Sequence, residues 1–214
     1  MINKIIDYIK KNRVSSTEFS DALDKKGSIY NLRPIDYQNS MHKVGKIICL
    51  FAYNNSNYHV HVGAKNIKKN DVVIIFTNEC GDKAIIGDLI SKYVMLYKEA
   101  SAIVVMGNVR DLPRLHKEKY PIWCEGFNPV GVKNEFTGNF PQKLKKEIIK
   151  EYEGGIAVCD ITGVVTIKKS EITKKILDKV KFIEKQEDIW YNCLDVKKWD
   201  TKKIIVDKKY KHSK

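Results

Sequence analysis

Two short segments carry the residue types from which a reactive centre is built: Gly87-Asp88-Leu89-Ile90 and Gly107-Asn108-Val109-Arg110-Asp111. The first opens a run in which Leu89, Ile90, Tyr93, Val94 and Tyr97 recur at helical spacing. The second is the turn that follows a short apolar strand, Ala102 to Met106. A β-α-β crossover between them would set neighbouring strand ends side by side, where sites in α/β sheets gather. The amides of Leu89 and Ile90, just after Gly87, would be unpaired donors at the positive end of a helix, a ready place for an anion. Arg110 adds a planar fork for a carboxylate, and Asp111 is a hard oxygen ligand suited to Mg2+ or Mn2+. Asp88 would accept hydrogen bonds from metal-bound water. Together these groups fit chemistry on a 2-oxo acid, with a metal polarising the carbonyl and an enolate stabilised beside it. A plainer reading stands next to this one: an Arg-Asp pair after a strand is often a surface ion pair, and Asp at a helix start is often a cap.

The elements that must position these residues are legible to different degrees. Residues 2–12 pattern as a helix with Ile5, Ile6 and Ile9 on one face. Ser15-x-x-Glu18 is a capping box, so a helix through Phe19, Ala22 and Leu23 should end at Gly27. A loop is expected from Asn31 to Asn39. Buried strands are expected at 46–52 and 71–77, and shorter ones at 122–124, 156–159 and 164–167. Gly81 and Gly87 bracket a turn. Leu112 to Lys119 reads as a helical turn or two, and a helix from Ser170 carries Ile172, Ile176, Val180 and Ile183 on one face. The segments 53–70 and 128–154 stay open between strand, helix and insertion. Strands alternating with helices argue an α/β fold, and the paired late strands argue a mixed sheet.

Composition bounds the rest. The chain has 214 residues and a formal net charge of +13, and only four of its 39 basic residues are arginine. Residues 197–214 alone carry +6 of that charge, as a Lys-rich tail (196–214) beyond a domain at 1–195. Phosphate and base recognition favour arginine, so nucleic acid is not the expected partner, and a lysine-biased solvated surface explains the charge. The scattered aromatics Tyr58, Trp123, Trp190 and Trp199 read as core and interface, and Lys143, Lys145, Lys146 and Lys150 as a solvated helix face. No apolar run approaches a membrane span, so no membrane partner is expected. Five cysteines without a CxxC pair suit neither zinc nor a disulfide framework, and a reducing cytoplasm is the expected setting. His59 and His61 would share a face of a strand and could bind metal, but no third ligand lies near them in sequence.

Over roughly residues 14–190 the sequence resembles the RraA-like family, which joins the regulator of ribonuclease E activity A and the class II 4-hydroxy-4-methyl-2-oxoglutarate aldolases. The resemblance rests on STEFSDALD (16–24), KNDVVII (69–75), GDLI (87–90), VVMGNVRDL (104–112), YPIWCEG (120–126) and DITGVV (160–165). It implies a compact α/β/β swivelling-type domain with a mixed sheet, a helical N-terminus and a C-terminal helix, assembled as a homotrimer or a dimer of trimers. It also implies that Asp111 ligates the divalent metal, that Arg110 with Gly87 and the Leu89 and Ile90 amides holds the substrate, and that Asp88 binds metal waters. A glutamate from a neighbouring subunit's C-terminal helix, Glu184 or Glu187, would complete the site. The implied function is a divalent-metal-dependent lyase that releases pyruvate from a 2-oxo diacid such as 4-hydroxy-4-methyl-2-oxoglutarate or oxaloacetate. Two alternatives accompany it: a non-catalytic regulator of a ribonuclease complex, or an enzyme acting on a modified 2-oxo or sugar acid. One position departs from the aldolase pattern, which expects a carboxylate three residues after Asp111, where this chain has Arg114. That exchange should weaken the local field holding a cation.

Overall fold

The computed structural model describes residues 1–37 and 41–211. Four parallel strands form its centre: β3 (Lys43–Tyr53), β4 (Val72–Asn78), β6 (Ala102–Val109) and β7 (Ile122–Phe127). They are flanked by antiparallel strands. On one side lie β8 (Ile156–Cys159), β9 (Val164–Ile167) and the two-residue β1 (Ser28–Ile29), and on the other β2 (Arg33–Pro34). A ninth strand, β5 (Ala84–Ile86), pairs with β6 off the main path. Strand β3 divides its partners: residues 43–46 pair with β8, and residues 47–53 pair with β4.

The central strands are apolar through their middles because both faces are covered there, as parallel sheets require. Val73, Ile75, Ile103 and Val105 face one core, which is roofed by α3 (Tyr58–Ala64), α4 (Asp88–Lys92) and α5 (Leu112–Lys117). Their neighbours Val72, Ile74 and Val104 face a second core with Trp123 and Phe140, closed by Leu144 and Ile148 of α6 (Gln142–Tyr152). A third core forms where α1 (Ile2–Asn12), α2 (Ser16–Ala22) and α7 (Lys174–Asp195) pack on β8 and β9. Ile5, Ile6 and Ile9 of α1 are buried in it, as their spacing predicts. The capping box also forms: the Glu18 amide donates to Ser15 Oγ, and the Ser15 amide donates to Glu18 Oε2 at 2.7 Å. The chain therefore folds as a mixed α/β domain with helices at both ends.

Several expectations are corrected. Residues 58–64 are helical, so His59 and His61, two positions apart, do not share a face. The His59 ring instead lies 2.8 Å from the Gly138 carbonyl. Strand β6 continues to Val109, so Gly107 and Asn108 belong to the strand and not to a turn. Helix α2 stops at Ala22, and Asp24 and Lys25 at positive φ carry the chain to Gly27. The pattern from Leu89 to Tyr97 is helical, but only Ile90 and Val94 of that set are buried; the segment rests on the sheet by a narrow face and loosens to π-helix over Tyr93–Tyr97. The C-terminal helix starts at Lys174, after a 3-10 turn at Lys169–Glu171. The expected loop from Asn31 contains β2, and its final residues lie outside the described ones. The segment 142–152 is a helix with no fully buried residue. All five cysteines are buried and free.

Residues after α7 fold back on it: the Trp199 amide donates to the Cys193 carbonyl, Ile204 is buried, and Gln186 Nε2 donates to the Tyr210 hydroxyl. Among the described residues no helix is long and apolar enough to cross a membrane.

One buried carboxylate ties two cores together. Asp160, in the turn between β8 and β9, accepts from the Ser16 amide at 2.6 Å, the Ser16 hydroxyl at 2.8 Å and the Thr162 amide at 2.8 Å. Its backbone carbonyl accepts from the indole of fully buried Trp123 at 2.8 Å. Asp160→Ala should leave the Ser16 donors buried without a partner and cost about 3 kcal/mol. Urea unfolding of the two proteins measures this as a lower midpoint at unchanged slope.

Candidate functional site

The site lies at the carboxyl ends of β5 and β6. Strand β4 pairs with β6 only as far as Ile75 opposite Val105, and β5 then takes its place, setting Ala84 opposite Asn108 and Ile86 opposite Val109. The Arg110 amide donates to the Ile86 carbonyl at 3.1 Å, which fixes Gly87 beside Arg110 and Asp111. The two motifs are thus joined by the expected crossover, whose first strand, β5, occupies what the spacing of Gly81 and Gly87 presents as a turn.

Asp111 sits in the left-handed region (φ 63°) ahead of α5, a conformation that Asp tolerates better than most residues. Its carboxylate accepts from the Asp88 amide at 3.1 Å and lies 3.6 Å from Arg110 Nε. Gly87 makes this possible, because a Cβ there would fall on Asp111 Oδ2. A second glycine serves Arg110: a Cβ at Gly131 would fall on its guanidinium. Gly131 is held next to β5 by the strand-like bonds of Ala84 with Val130 and Val132. This loop is a part of the site that sequence reading missed; a glycine following Asn128-Pro129 was its only signal. The side chains of Arg110 and Asp111 remain 47% and 35% exposed, so both are open to a ligand.

Arg114 is one turn into α5, and its Nη1 donates to Asp88 Oδ2 at 2.6 Å. That hydrogen bond is the main reason the Asp88 carboxyl is held below the usual carboxylate range, with the Leu89 amide adding to it. The residue that breaks the aldolase pattern therefore occupies the aspartate expected to bind metal waters. Leu89 is exposed and Ile90 buried, both at the start of the helical segment that Gly87 caps. Glu184 and Glu187 are elsewhere in this chain. Glu184 accepts from the Tyr8 hydroxyl at 2.5 Å. The Glu187 carboxyl is pushed up by burial and by Glu18, Asp21 and Asp188, none of them a site residue.

No group of three or more His, Cys, Asp or Glu among the described residues gathers as a ready metal cage. The Asp111 carboxylate alone suits a magnesium-type ion, which keeps several waters and takes one or two protein carboxylates plus substrate oxygens. The pocket left by the missing Gly87 side chain is what lets that carboxylate stand there.

Comparison with known proteins matches residues 16–166 to the RraA-like family model, Aldolase/RraA, well over half of the chain. The chain belongs to the RraA-like family. That family covers aldolases, which are typically divalent-metal dependent, and regulators of RNA processing. Among curated proteins, the RraA-like chain is similar to protein DlpA of Legionella pneumophila, at 24% identity over 76% of this chain. It spans only 27% of that relative's length. Solved structures show the same fold. An uncharacterized protein from Pseudomonas syringae pv. tomato matches with TM-score 0.72 and 16% identity, covering 91% of this chain and 90% of that one. Streptomyces coelicolor RraAS2, described as an unusual member of the RNase ES inhibitor RraA family, matches with TM-score 0.68 and 21% identity, covering 86% and 95%.

The Arg114–Asp88 pair is intact above the lowered Asp88 pKa and is lost as pH falls through it. Because Arg114 is largely exposed, the effect on stability should be small. Arg114→Ala should move the Asp88 carboxyl upward toward the ordinary range, read by carboxyl-carbon NMR over an acid titration.

Proposed function

We propose that the protein is a divalent-metal-dependent carbon–carbon lyase that cleaves or decarboxylates a 2-oxo diacid and releases pyruvate. The observation that carries this reading is the convergence of Arg110, Asp111 and the capped helix start at Gly87 on one open corner of the sheet, with two glycines making room for the two charged side chains. Asp111 would hold the Mg2+ or Mn2+ ion, whose chemistry is to polarise the 2-oxo carbonyl as a Lewis acid. Arg110 binds the substrate carboxylate through its fork and stays against the negative charge that grows as the enolate forms. The helix start offers the Ile90 amide as a further donor to the same anion, the Leu89 amide being turned to the Asp88 carboxylate. Bond cleavage leaves the electron pair on the carbon next to the 2-oxo group, and a proton delivered there completes pyruvate.

The reaction also needs a group that moves protons. We assign it to Glu187 from a neighbouring copy, in a trimer or a dimer of trimers. Glu184 is engaged by Tyr8, whereas burial and the neighbouring acids Glu18, Asp21 and Asp188 push the Glu187 carboxyl up, the direction that suits a proton donor. The ion pair of Arg114 with Asp88 favours a second reading, a regulator in which the corner binds no metal tightly.

Pyruvate release from oxaloacetate and from 4-hydroxy-4-methyl-2-oxoglutarate, with Mg2+ or Mn2+, separates the two readings. Turnover above the free metal, abolished in Asp111→Ala, is the expected result. Absence of turnover on both substrates, or turnover that survives Asp111→Ala, removes the lyase reading.

Gly131→Ala offers a finer check. The added methyl displaces the Arg110 guanidinium, and kcat/KM should fall on the order of 10- to 100-fold through misplacement alone. Thermal denaturation should show the melting temperature little changed.

A further inference from the structure

At the opposite end of the same strands is a second concave surface that the lyase reading does not use. It is a cleft of about 430 Å³, within the size range of small-molecule sites, bounded by the chain entering β3, β4, β6 and β7 and by the end of α1. Lys10, Arg13, His42 and Lys43 line it over an apolar floor that includes Val44 and Met95, and no carboxylate is among its lining residues.

Two observations show that this is more than the usual lysine-rich surface. First, the basic side chains Lys10, Arg13 and Lys43 and the His42 imidazole converge from separate elements. The dipole of α1 accounts for Lys10 and Arg13 at its C-terminal end, but not for His42 and Lys43, which arrive at the start of β3. Second, none of the acids that border the cleft in sequence (Asp7, Asp71 and Glu99) forms an ion pair with Lys10 or Lys43. Asp71 accepts from the Lys68 amide at 2.9 Å, and Glu99 pairs with Lys69. Lys10 and Lys43 have no acidic partner among the described residues. The His42 ring is fixed by Nε2 at 2.8 Å from the Val14 carbonyl; a carbonyl only accepts, so that nitrogen carries the proton.

We propose that this cleft is a binding site for a small phosphate-bearing anion with two or more negative charges. Compact ammonium groups act as point charges on phosphate oxygens, and several of them round one concavity select for charge number. The apolar floor leaves room for an uncharged body attached to the phosphates. The site is independent of Arg110 and Asp111, which stand at the other end of the sheet.

The test is calorimetric titration of the full chain with inorganic pyrophosphate at constant ionic strength, with sulfate as control. Pyrophosphate should bind more tightly than sulfate and shift the His42 ring resonances in NMR. Lys10→Gln with Lys43→Gln should weaken binding at least about tenfold, equivalent to about 1.4 kcal/mol, while Arg110→Ala leaves it within about twofold. Should the double variant be poorly folded, Lys10→Gln alone serves, with a weakening of about threefold expected. No binding to the unaltered protein overturns the proposal. So does binding indifferent to both lysines, or binding lost in Arg110→Ala. Tighter binding of a short single-stranded RNA that depends on the same lysines would overturn the small-molecule assignment in favour of a polymer.

Discussion

The hydrogen bond from the Arg110 amide to the Ile86 carbonyl is the contact on which the candidate site depends. It exists because β4 leaves β6 at Val105 and a new strand takes the vacated edge. Backbone donors and acceptors along a buried edge must be paired, so β5 is needed there for reasons that precede any function. Once it is there, Gly87 stands within reach of Asp111, and the helix after it starts with its amides at the same corner. The loop carrying Gly131 is drawn in by the same pairing, on the other side of Ala84.

What the sequence discloses follows from how local the cause is. The capping box at Ser15 and Glu18 and the isoleucine stripe of α1 depend on residues a turn apart, and both form as read. The apolar runs of β4 and β6 are legible because a strand buried on both faces needs no partner-specific code. Strand β5 is hidden: three apolar residues between two glycines look like a turn, and only its place beside Asn108 and Val109 makes them a strand. Residues 58–64 hold alternating histidine and valine, a period of two that tertiary packing overrides to give a helix. Within the site, Arg110, Asp111 and Gly87 were legible from type and spacing. Gly131 was not, because its role is to leave space for a side chain twenty-one positions away.

Arg114 shows how one replacement can be absorbed without disturbing a fold. A carboxylate at this position would face Asp88 and Asp111 as a third negative charge, and a cation would be needed to hold them together. With arginine, the protein supplies that positive charge itself. The corner is then electrically balanced in the absence of metal, and an incoming ion has less field to fall into. The regulator reading of the corner rests on this one exchange.

The five thiols give the protein a property unrelated to its chemistry. Burial raises the Cys49, Cys80, Cys124 and Cys159 thiols, Cys124 to about 12, and these four lie in the two cores that clasp the central sheet. Only the thiolate is nucleophilic, so in the closed protein they are shielded twice, by protonation and by packing. Alkylation at these positions therefore waits for the sheet to part. Mass spectrometry of slow thiol labelling would time that opening strand by strand: Cys49 for β3, Cys124 for β7 and Cys159 for β8. The chain carries its own clock for unfolding.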